Sequence, residues 1–578
     1  MKDTVYQTLK TPYIKNMNPD LPWDVYPRPA FVRNSYFSLN GKWDFKISDT
    51  SDIPLEYSEK ILVPFPPESE LSGIGKTPGK YEFLHYKRTF TLPAGFNKGK
   101  LLLRFGAVDR LATVSVNGTV VGTHNDGYLP FFADVTSLVK EGENEIYLKV
   151  KDNLSPLFPY GKQKKKRGGM WYTPVSGIWQ TVWLESVPEG YIENIRIEQS
   201  MTEAKITVIG GVGKKTLTLK DSGEVYAFDG DSVTVRPSDG RLWSPEDPYL
   251  YYFTIKTQND EIESYFALRE VGICYTGATS RLTLNGKPYL FNGLLDQGYY
   301  PDGIFTPPSP ECYEDDILLA KKLGFNTLRK HIKLEPAIFY HLCDKLGIAV
   351  FQDMINNSKY SFIRDTALPT IGLKSKPDKH SHKNALSRKA FEYSMKGIMN
   401  TLYNYPSVVY FTIFNEGWGQ FAADEMYDKA KAIDPSRIID ATSGWFHRKR
   451  SDVNSLHIYF RPLKAKDDGR PLVISEFGGY SHRVDGHLFG SKNYGYTSYP
   501  SAGEFERAVC KLYDTEVREL VRAGASAFIY TQVSDVEDET NGFITYDRQV
   551  VKVDAEKVSG IMRSLTEDAE AFGKEDMK

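Results

Sequence analysis

"VVYFTIFNEGWGQ", residues 408–420, is an apolar and β-branched run that stops on Asn415 and Glu416 and then places two glycines around Trp418. A segment apolar on both faces reads as a strand of a parallel sheet covered on both sides. Burial is most expensive for a carboxylate, so one at the end of such a strand needs a use.

The same grammar repeats on either side. "YLFNGLL", "FNTLRK", "IAVFQD", "RIIDATSG", "VNSLHIY", "PLVISEFGG" and "ASAFIYTQV" are further strand candidates between residues 289 and 533. Amphipathic segments separate them, among them 311–324, 335–347, 387–404 and 502–524, and the first two end in Lys-Leu-Gly, with glycine where a helix C-cap favours positive φ. Strands alternating with helices predict a parallel sheet, and eight such strands over residues 274–578 predict a (β/α)8 barrel. Segments 355–386, basic and His-rich, and 480–501, dense in tyrosine, read as long loops on its working face.

Upstream the pattern is all β. Residues 1–187 hold short alternating runs such as "GKWDFKIS" and "NEIYLKVKD" with an Asn117-Gly118 hairpin signal, predicting a jelly-roll β-sandwich. Residues 188–273 repeat the style at a size that suits an immunoglobulin-like β-sandwich. Three domains are therefore expected in a chain of 578 residues.

Composition excludes several function classes. Lys+Arg 72 against Asp+Glu 74 leaves a net charge of −2, so no global field draws the chain to nucleic acid or anionic lipid. The basic run Lys164–Arg167 reads as a solvated loop. Four cysteines without metal-type spacing suggest neither zinc nor a disulfide framework. With no apolar leader or membrane-length run, a cytoplasmic location is expected, or a secreted or periplasmic one if a leader was removed. Aromatic residues at 13% suit sugar stacking as well as large β cores.

The working face of a barrel lies at the C-terminal ends of its strands. There the sequence places Arg329, Lys330 and His331, then Gln352 and Asp353, Asn415 and Glu416, His457 and Tyr459, and Glu476. Two carboxylates on separate strands, Glu416 and Glu476, are what glycoside hydrolysis needs: one protonates the leaving oxygen and one meets the oxocarbenium-like carbon. A Mg²⁺ or Mn²⁺ site would want further oxygen ligands, so no metal and no cofactor is expected.

The ordered set "FSLNGKWDFKI" (37–47), "GIWQTVWLE" (177–185), "LWSPEDPYLY" (242–251), "LTLNGKPYLFNG" (282–293), "FNEGWGQ" (414–420) and "ISEFGG" (474–479) resembles glycoside hydrolase family 2, the family of β-galactosidases, β-glucuronidases and β-mannosidases. The resemblance implies a retaining, exo-acting β-glycosidase with Glu416 as general acid/base and Glu476 as nucleophile. It further implies that Asn415 bonds the sugar 2-hydroxyl, that Arg329 keeps Glu476 ionised and that Tyr459 orients it. His331, Asp353, His457, Trp418, Lys333 and Gln532 are candidate sugar contacts, with Tyr172 or its neighbours reaching in from the first domain. Relatives are often dimers or tetramers, so a homo-oligomer is among the expectations.

Departures bear on the sugar. Where bacterial β-glucuronidases hold the substrate carboxylate with Asn-x-Lys, the chain has Glu539 and Asn541, an acid that would repel a uronate, although Lys330 or Lys333 offers a cation from another side. Strand 3 ends in a Gln-Asp pair in the manner of β-mannosidases, and strand 8 carries Gln532 where relatives often place a tryptophan. A β-galactoside is the expected substrate, with β-mannoside, β-glucuronide and α-L-arabinoside as alternatives. A non-catalytic carbohydrate-binding protein is the alternative from another class.

Overall fold

A computed structural model describes residues 9–276, 279–370, 373, 378 and 382–575. Three layered units follow one another along the chain. In the first, a six-stranded antiparallel sheet (in spatial order Glu59–Val63, Gly41–Ser48, Phe83–Thr91, Glu143–Lys151, Leu111–Val116, Thr119–Asn125) shares a core with a four-stranded one (Phe37–Ser38, Val182–Val187, Lys100–Phe105, Phe131–Asp134). Alternation explains the strands: Gly41–Ser48 buries Gly41, Trp43 and Phe45, exposes Lys42 and leaves Asp44 half-buried between them. Asn117 and Gly118, at φ 48° and 81°, make the tight hairpin the sequence predicts.

The second unit, residues 192–266, packs sheets of three and four antiparallel strands around Ile195, Ile206, Leu217, Phe253 and Phe266. Two of its side chains dock it to the barrel: Trp243 Nε1 donates to Asp344 O at 2.8 Å, and Tyr265 Oη to Asp344 Oδ2 at 2.8 Å.

The third unit is the barrel. Its parallel strands are β1 (Phe291–Asp296), β2 (Thr327–Lys330), β3 (Ala349–Asp353), β4 (Val408–Asn415), β5 (Ile438–Ser443), β6 (Asn454–Ile458), β7 (Leu472–Gly478) and β8 (Ala527–Thr531). They pair in the order β5-β4-β3-β2-β1-β8-β7-β6. β5 and β6 form no ladder with each other; instead Asp452 bridges them, its N–H donating to Ile439 O and its Oδ2 accepting from Ile439 N–H. Helices α1 (Glu311–Lys322), α2 (Ala337–Leu346), α3 (Ala385–Leu402), α4 (Ala423–Ile433), α5 (Ala502–Leu512) and α6 (Ala555–Glu575) belong to the outer layer. At the end of α2, Gly347 sits at φ 75° where a Cβ would lie 2.6 Å from Pro245 O, so the predicted glycine cap is also a steric requirement.

The stretch from residue 274, expected to belong to the barrel, instead contributes to a short antiparallel sheet of Val271–Thr276, Thr279–Leu284 and Lys287–Pro288. Val271, Leu282 and Leu284 pack with Phe291, Phe351, Tyr410, Val473, Ala527 and Ile529 in a core separate from the main one. The barrel wall begins at Phe291.

The first unit also reaches the barrel's working face. Tyr160 and Gly161 both donate their N–H to Asn356 O (3.1 and 3.3 Å), and Thr173 N–H donates to Glu537 Oε1 (2.8 Å). Arg167, expected to be solvated, pairs with Glu537 at 3.3 Å and Asp538 at 3.5 Å. Of the two long loops, 355–386 holds a helical turn near 362–370, its residues 371, 372, 374–377 and 379–381 lying outside the described ones, and 480–501 pairs Tyr480–Ser481 with Thr497–Ser498. Among the described residues no helix is long and apolar enough to cross a membrane.

Candidate active site

β4 delivers Asn415 and Glu416 to the barrel mouth, and the chain then turns sharply. Glu416 is held at φ 54° and Gly417 at 68°. A Cβ on Gly417 would meet the Phe446 ring at 2.0 Å, so the residue after the acid has to be glycine. Glu416 N–H donates to Ser443 O on β5 at 3.0 Å, which anchors the turn. A non-glycine residue in this backbone region carries a cost of about 1–2 kcal/mol.

Glu416 faces Glu476 of β7, with His457 of β6 between them. One ligand atom from each of the three lies within 4.8 Å of the others, the only such group of three or more His, Cys, Asp or Glu among the described residues. His457 Nδ1 is 3.0 Å from Glu416 Oε1 and 3.5 Å from Glu476 Oε2.

Arg329, fully buried at the end of β2, organises the surroundings. Its Nη1 donates to Glu476 Oε1 (3.0 Å) and Ser475 O (2.9 Å), its Nε to Asp353 Oδ1 (3.0 Å), and its Nη2 to Asn415 Oδ1 (2.8 Å) and Ser443 Oγ (3.2 Å). Ser443 Oγ donates to the same Asn415 oxygen at 2.8 Å, so both donors hold the amide by its carbonyl and turn its NH₂ outward. Tyr459 Oη donates to Glu476 Oε2 at 2.5 Å and lies 3.0 Å from Thr531 Oγ1.

Burial pushes the Glu476 carboxyl up, but the Nδ1–H side of the His457 ring and the Arg329 guanidinium outweigh it, with His331 and Lys162 adding to them, and hold it well below the usual carboxylate range. Glu476 is therefore ionised throughout the neutral range. Its contribution to stability is complete above the unfolded value of about 4.3 and is lost as pH falls through its lowered value in the fold. Asp353 is also held low, Arg329 and His331 overcoming the burial that would raise it. Arg329→Met leaves both carboxylates without their fixed counter-charge, and a loss of about 3–5 kcal/mol is expected in urea denaturation. Unchanged stability would mean that the two acids find compensation elsewhere.

Several expected sugar contacts are committed to the protein instead. Lys333 is buried and gives its ammonium to Gly298 O (2.6 Å), Phe305 O (2.8 Å) and Glu335 Oε2 (2.9 Å), leaving no donor for a substrate. Lys330 is likewise buried between Asp296 and Glu335, at 2.6 and 2.7 Å, so neither lysine supplies a cation to the mouth. Trp418 is buried, donates Nε1 to Ser358 O (3.0 Å) and stands edge-on to Trp171, Tyr160 and Tyr360 as wall packing. Asp353 spends its oxygens on Arg329 and on His331 Nδ1 (2.6 Å), which supports Arg329 and orients the imidazole of His331. Gln532 lies beneath the surface and donates Nε2 to Glu539 Oε2 (2.9 Å) and Asn541 Oδ1 (2.7 Å). His457, expected against a sugar, sits between the two acids.

Glu539 is buried, and burial raises its carboxyl to about 7 against the opposing pull of Lys162, Tyr172, Gln532 and Asn541. Tyr172 is wholly buried, 4.7 Å from the Tyr299 ring centroid, and its N–H donates to Lys162 O at 2.9 Å.

Lys162, Ser443 and Tyr496 were not legible as site residues in the sequence. Lys162 lies in the first unit, directly after the Tyr160-Gly161 pair that docks on the barrel, and its charge bears on Glu476, His331 and Glu539. Tyr496, from the tyrosine-dense loop, stacks on Tyr459 with ring centroids 3.8 Å apart. The density of tyrosines in 480–501 was the one available signal.

A crevice of about 610 Å³ opens elsewhere, where the three units meet, lined by residues that include Trp23, Arg104, Gln180, Tyr191, Arg196 and Tyr403. It contains none of the residues around Glu416 and Glu476.

Two acids meet at the mouth of a parallel barrel that follows two β-sandwiches along the chain, which is the carboxylate pairing glycoside hydrolysis uses. Residues 73–188 match the model for the glycosyl hydrolases family 2 sugar binding domain, and residues 278–549 that for the family's TIM barrel domain. The chain belongs to glycosyl hydrolase family 2. It is 24% identical over 532 residues to a putative beta-glucuronidase of Formosa agariphila, covering 80% of this chain and 58% of that protein. It is 23% identical over 451 residues to a beta-galactosidase of Halalkalibacterium halodurans, covering 71% and 41%. The chain thus spans about half the length of these curated relatives. A solved beta-D-glucuronidase of Dictyoglomus thermophilum shares the fold with a TM-score of 0.73 at 20% identity, over 93% of this chain and 98% of that one.

Proposed function

We propose that the chain is a retaining, exo-acting β-glycosidase working by double displacement. One observation carries this: oxygens of Glu416 and Glu476 face each other within 4.8 Å across His457. That closeness suits the carboxyl separation of about 5–5.5 Å used for direct attack, whereas a base-activated water needs about 6.5–9.5 Å. Glu416, partly open to solvent, is the acid and then the base; Glu476, ionised and fixed by Arg329 and Tyr459, attacks the anomeric carbon. Asn415 presents its NH₂ to the 2-hydroxyl. The segment around Tyr160–Tyr172, docked against the mouth, favours a pocket over an open cleft and hence release of terminal sugars.

Named relatives include both beta-galactosidases and beta-glucuronidases. A β-galactoside is the first choice of glycone, because Glu539 stands where a uronate-binding cation would be wanted. A β-glucuronide is the second reading, favoured by Lys162, whose ammonium is not engaged in a hydrogen bond or ion pair with any described residue. Protonation of Glu539 below about pH 7 would leave Lys162 as an excess positive charge, so uronide binding should strengthen on acidification.

A panel of p-nitrophenyl glycosides, with NMR of the first-formed anomer, tests both levels. Cleavage with retention is expected, fastest on the β-galactoside; inversion, or no turnover of any glycoside, would overturn the mechanism. Lys162→Met is expected to lower kcat/KM on the β-glucuronide by about 10–100-fold, the value of a charged hydrogen bond, and to leave the β-galactoside nearly unchanged. Equal effects on both sugars would remove Lys162 from glycone choice.

A further inference from the structure

His457 is held more tightly than wall packing requires. Its side chain is fully buried, and Gly444 on the neighbouring turn, at φ 87°, leaves it room where a Cβ would come within 2.9 Å of Nδ1. The Trp445 ring stands edge-on at 5.9 Å. On the far side of the imidazole, Nε2 lies 3.4 Å from Arg329 Nη1. A guanidinium carries only donors, so Nε2 accepts and the ring proton is assigned to Nδ1. That N–H points between two carboxylates, 3.0 Å from Glu416 and 3.5 Å from Glu476.

We propose that His457 is a positioning residue whose single Nδ1–H alternates between the two acids as charge moves between them. Before reaction the charge is on Glu476, and Glu416 holds a proton. When Glu416 gives that proton to the leaving oxygen, the glycosidic bond breaks and Glu476 forms an ester bond to the anomeric carbon. The negative charge now resides on Glu416, and the histidine N–H faces it alone. Water then loses a proton to Glu416 and adds to the anomeric carbon, the ester bond breaks, and the charge returns to Glu476. The histidine proton never leaves its nitrogen. Its groups at close range are Glu416, Glu476 and Arg329. Tyr459 bonds Glu476, Tyr496 stacks on Tyr459, His331 and Asp353 lie behind Arg329, and His447 feels the His457 ring from the segment between β5 and β6.

The inference rests on the double-displacement reading, and the two fail differently: the first in the wild-type enzyme, the second only in the variants. The test compares His457→Leu, which removes the donor, with His457→Asn, whose amide NH₂ replaces it. A 2,4-dinitrophenyl glycoside needs no acid help to depart, so its kcat reports the step in which Glu416 acts as base. For His457→Leu a fall in that kcat of about 10–100-fold is expected. The basic limb of the kcat/KM profile should move to higher pH, because an acid whose anion has lost a donor keeps its proton longer. His457→Asn is expected to recover most of both. A leucine variant with wild-type kcat and profile overturns the proposal, as does a uniform loss on all substrates that asparagine does not repair. If His457→Leu fails to fold, His457→Asn decides: a basic limb moved to higher pH together with a fall of about 10–100-fold in kcat on the dinitrophenyl glycoside overturns the role.

Discussion

Glu476→Ala is expected to abolish turnover, lowering kcat by on the order of 10⁵-fold on every glycoside, the scale on which a covalent nucleophile acts. Such a factor corresponds to about 7 kcal/mol of barrier. The fold should survive, because Arg329 keeps its partner Asp353, and thermal melting checks this. The vacated space lies beside Arg329 Nη1 and Tyr459 Oη, two donors that previously met a carboxylate. A small anion can occupy it, so azide should restore turnover of a dinitrophenyl glycoside and give the α-glycosyl azide. Residual hydrolysis above about one per cent of wild type, a loss of only about 2.7 kcal/mol, would mean that Glu476 is not the nucleophile. So would a β-configured azide product.

The barrel was readable because its strands are apolar on both faces and punctuated by capped helices; each of the eight strand segments named from sequence overlaps an observed one. The small sheet of Val271–Thr276, Thr279–Leu284 and Lys287–Pro288 escaped because its short runs lie across the domain boundary set at 273/274, and only packing against the barrel strands reveals it. Residues at the strand ends could be named from sequence, but their partners could not. Lys333 and Lys330 look like surface cations until Asp296 and Glu335 are brought against them by separate segments. His457 shows the same limit: its strand position gives a side chain at the mouth, but its place between acids on β4 and β7 depends on the barrel's curvature. Lys162 is the extreme case, a residue from another unit whose relevance exists only after docking.

Glu416→Ala should separate substrates by leaving group. General acid assistance is worth about 10²–10⁴-fold, and it matters in proportion to how poorly the leaving oxygen bears negative charge. Alkyl glycosides should therefore lose nearly all activity, whereas a dinitrophenyl glycoside should still glycosylate Glu476. Because Glu416 is also the base for the second step, that covalent species should accumulate, giving a burst followed by slow turnover. Azide entering where Glu416 stood needs no base, so it should release the sugar as the β-glycosyl azide. The two alanine variants then yield opposite anomers from one nucleophile, which follows if each acid serves one face of the same sugar. Backbone at residue 416 adds a control: at φ 54° alanine retains the unfavourable conformation and glycine does not, so Glu416→Gly should melt above Glu416→Ala while matching its kinetics. Equal losses on alkyl and dinitrophenyl glycosides, with no burst, would remove Glu416 from proton transfer.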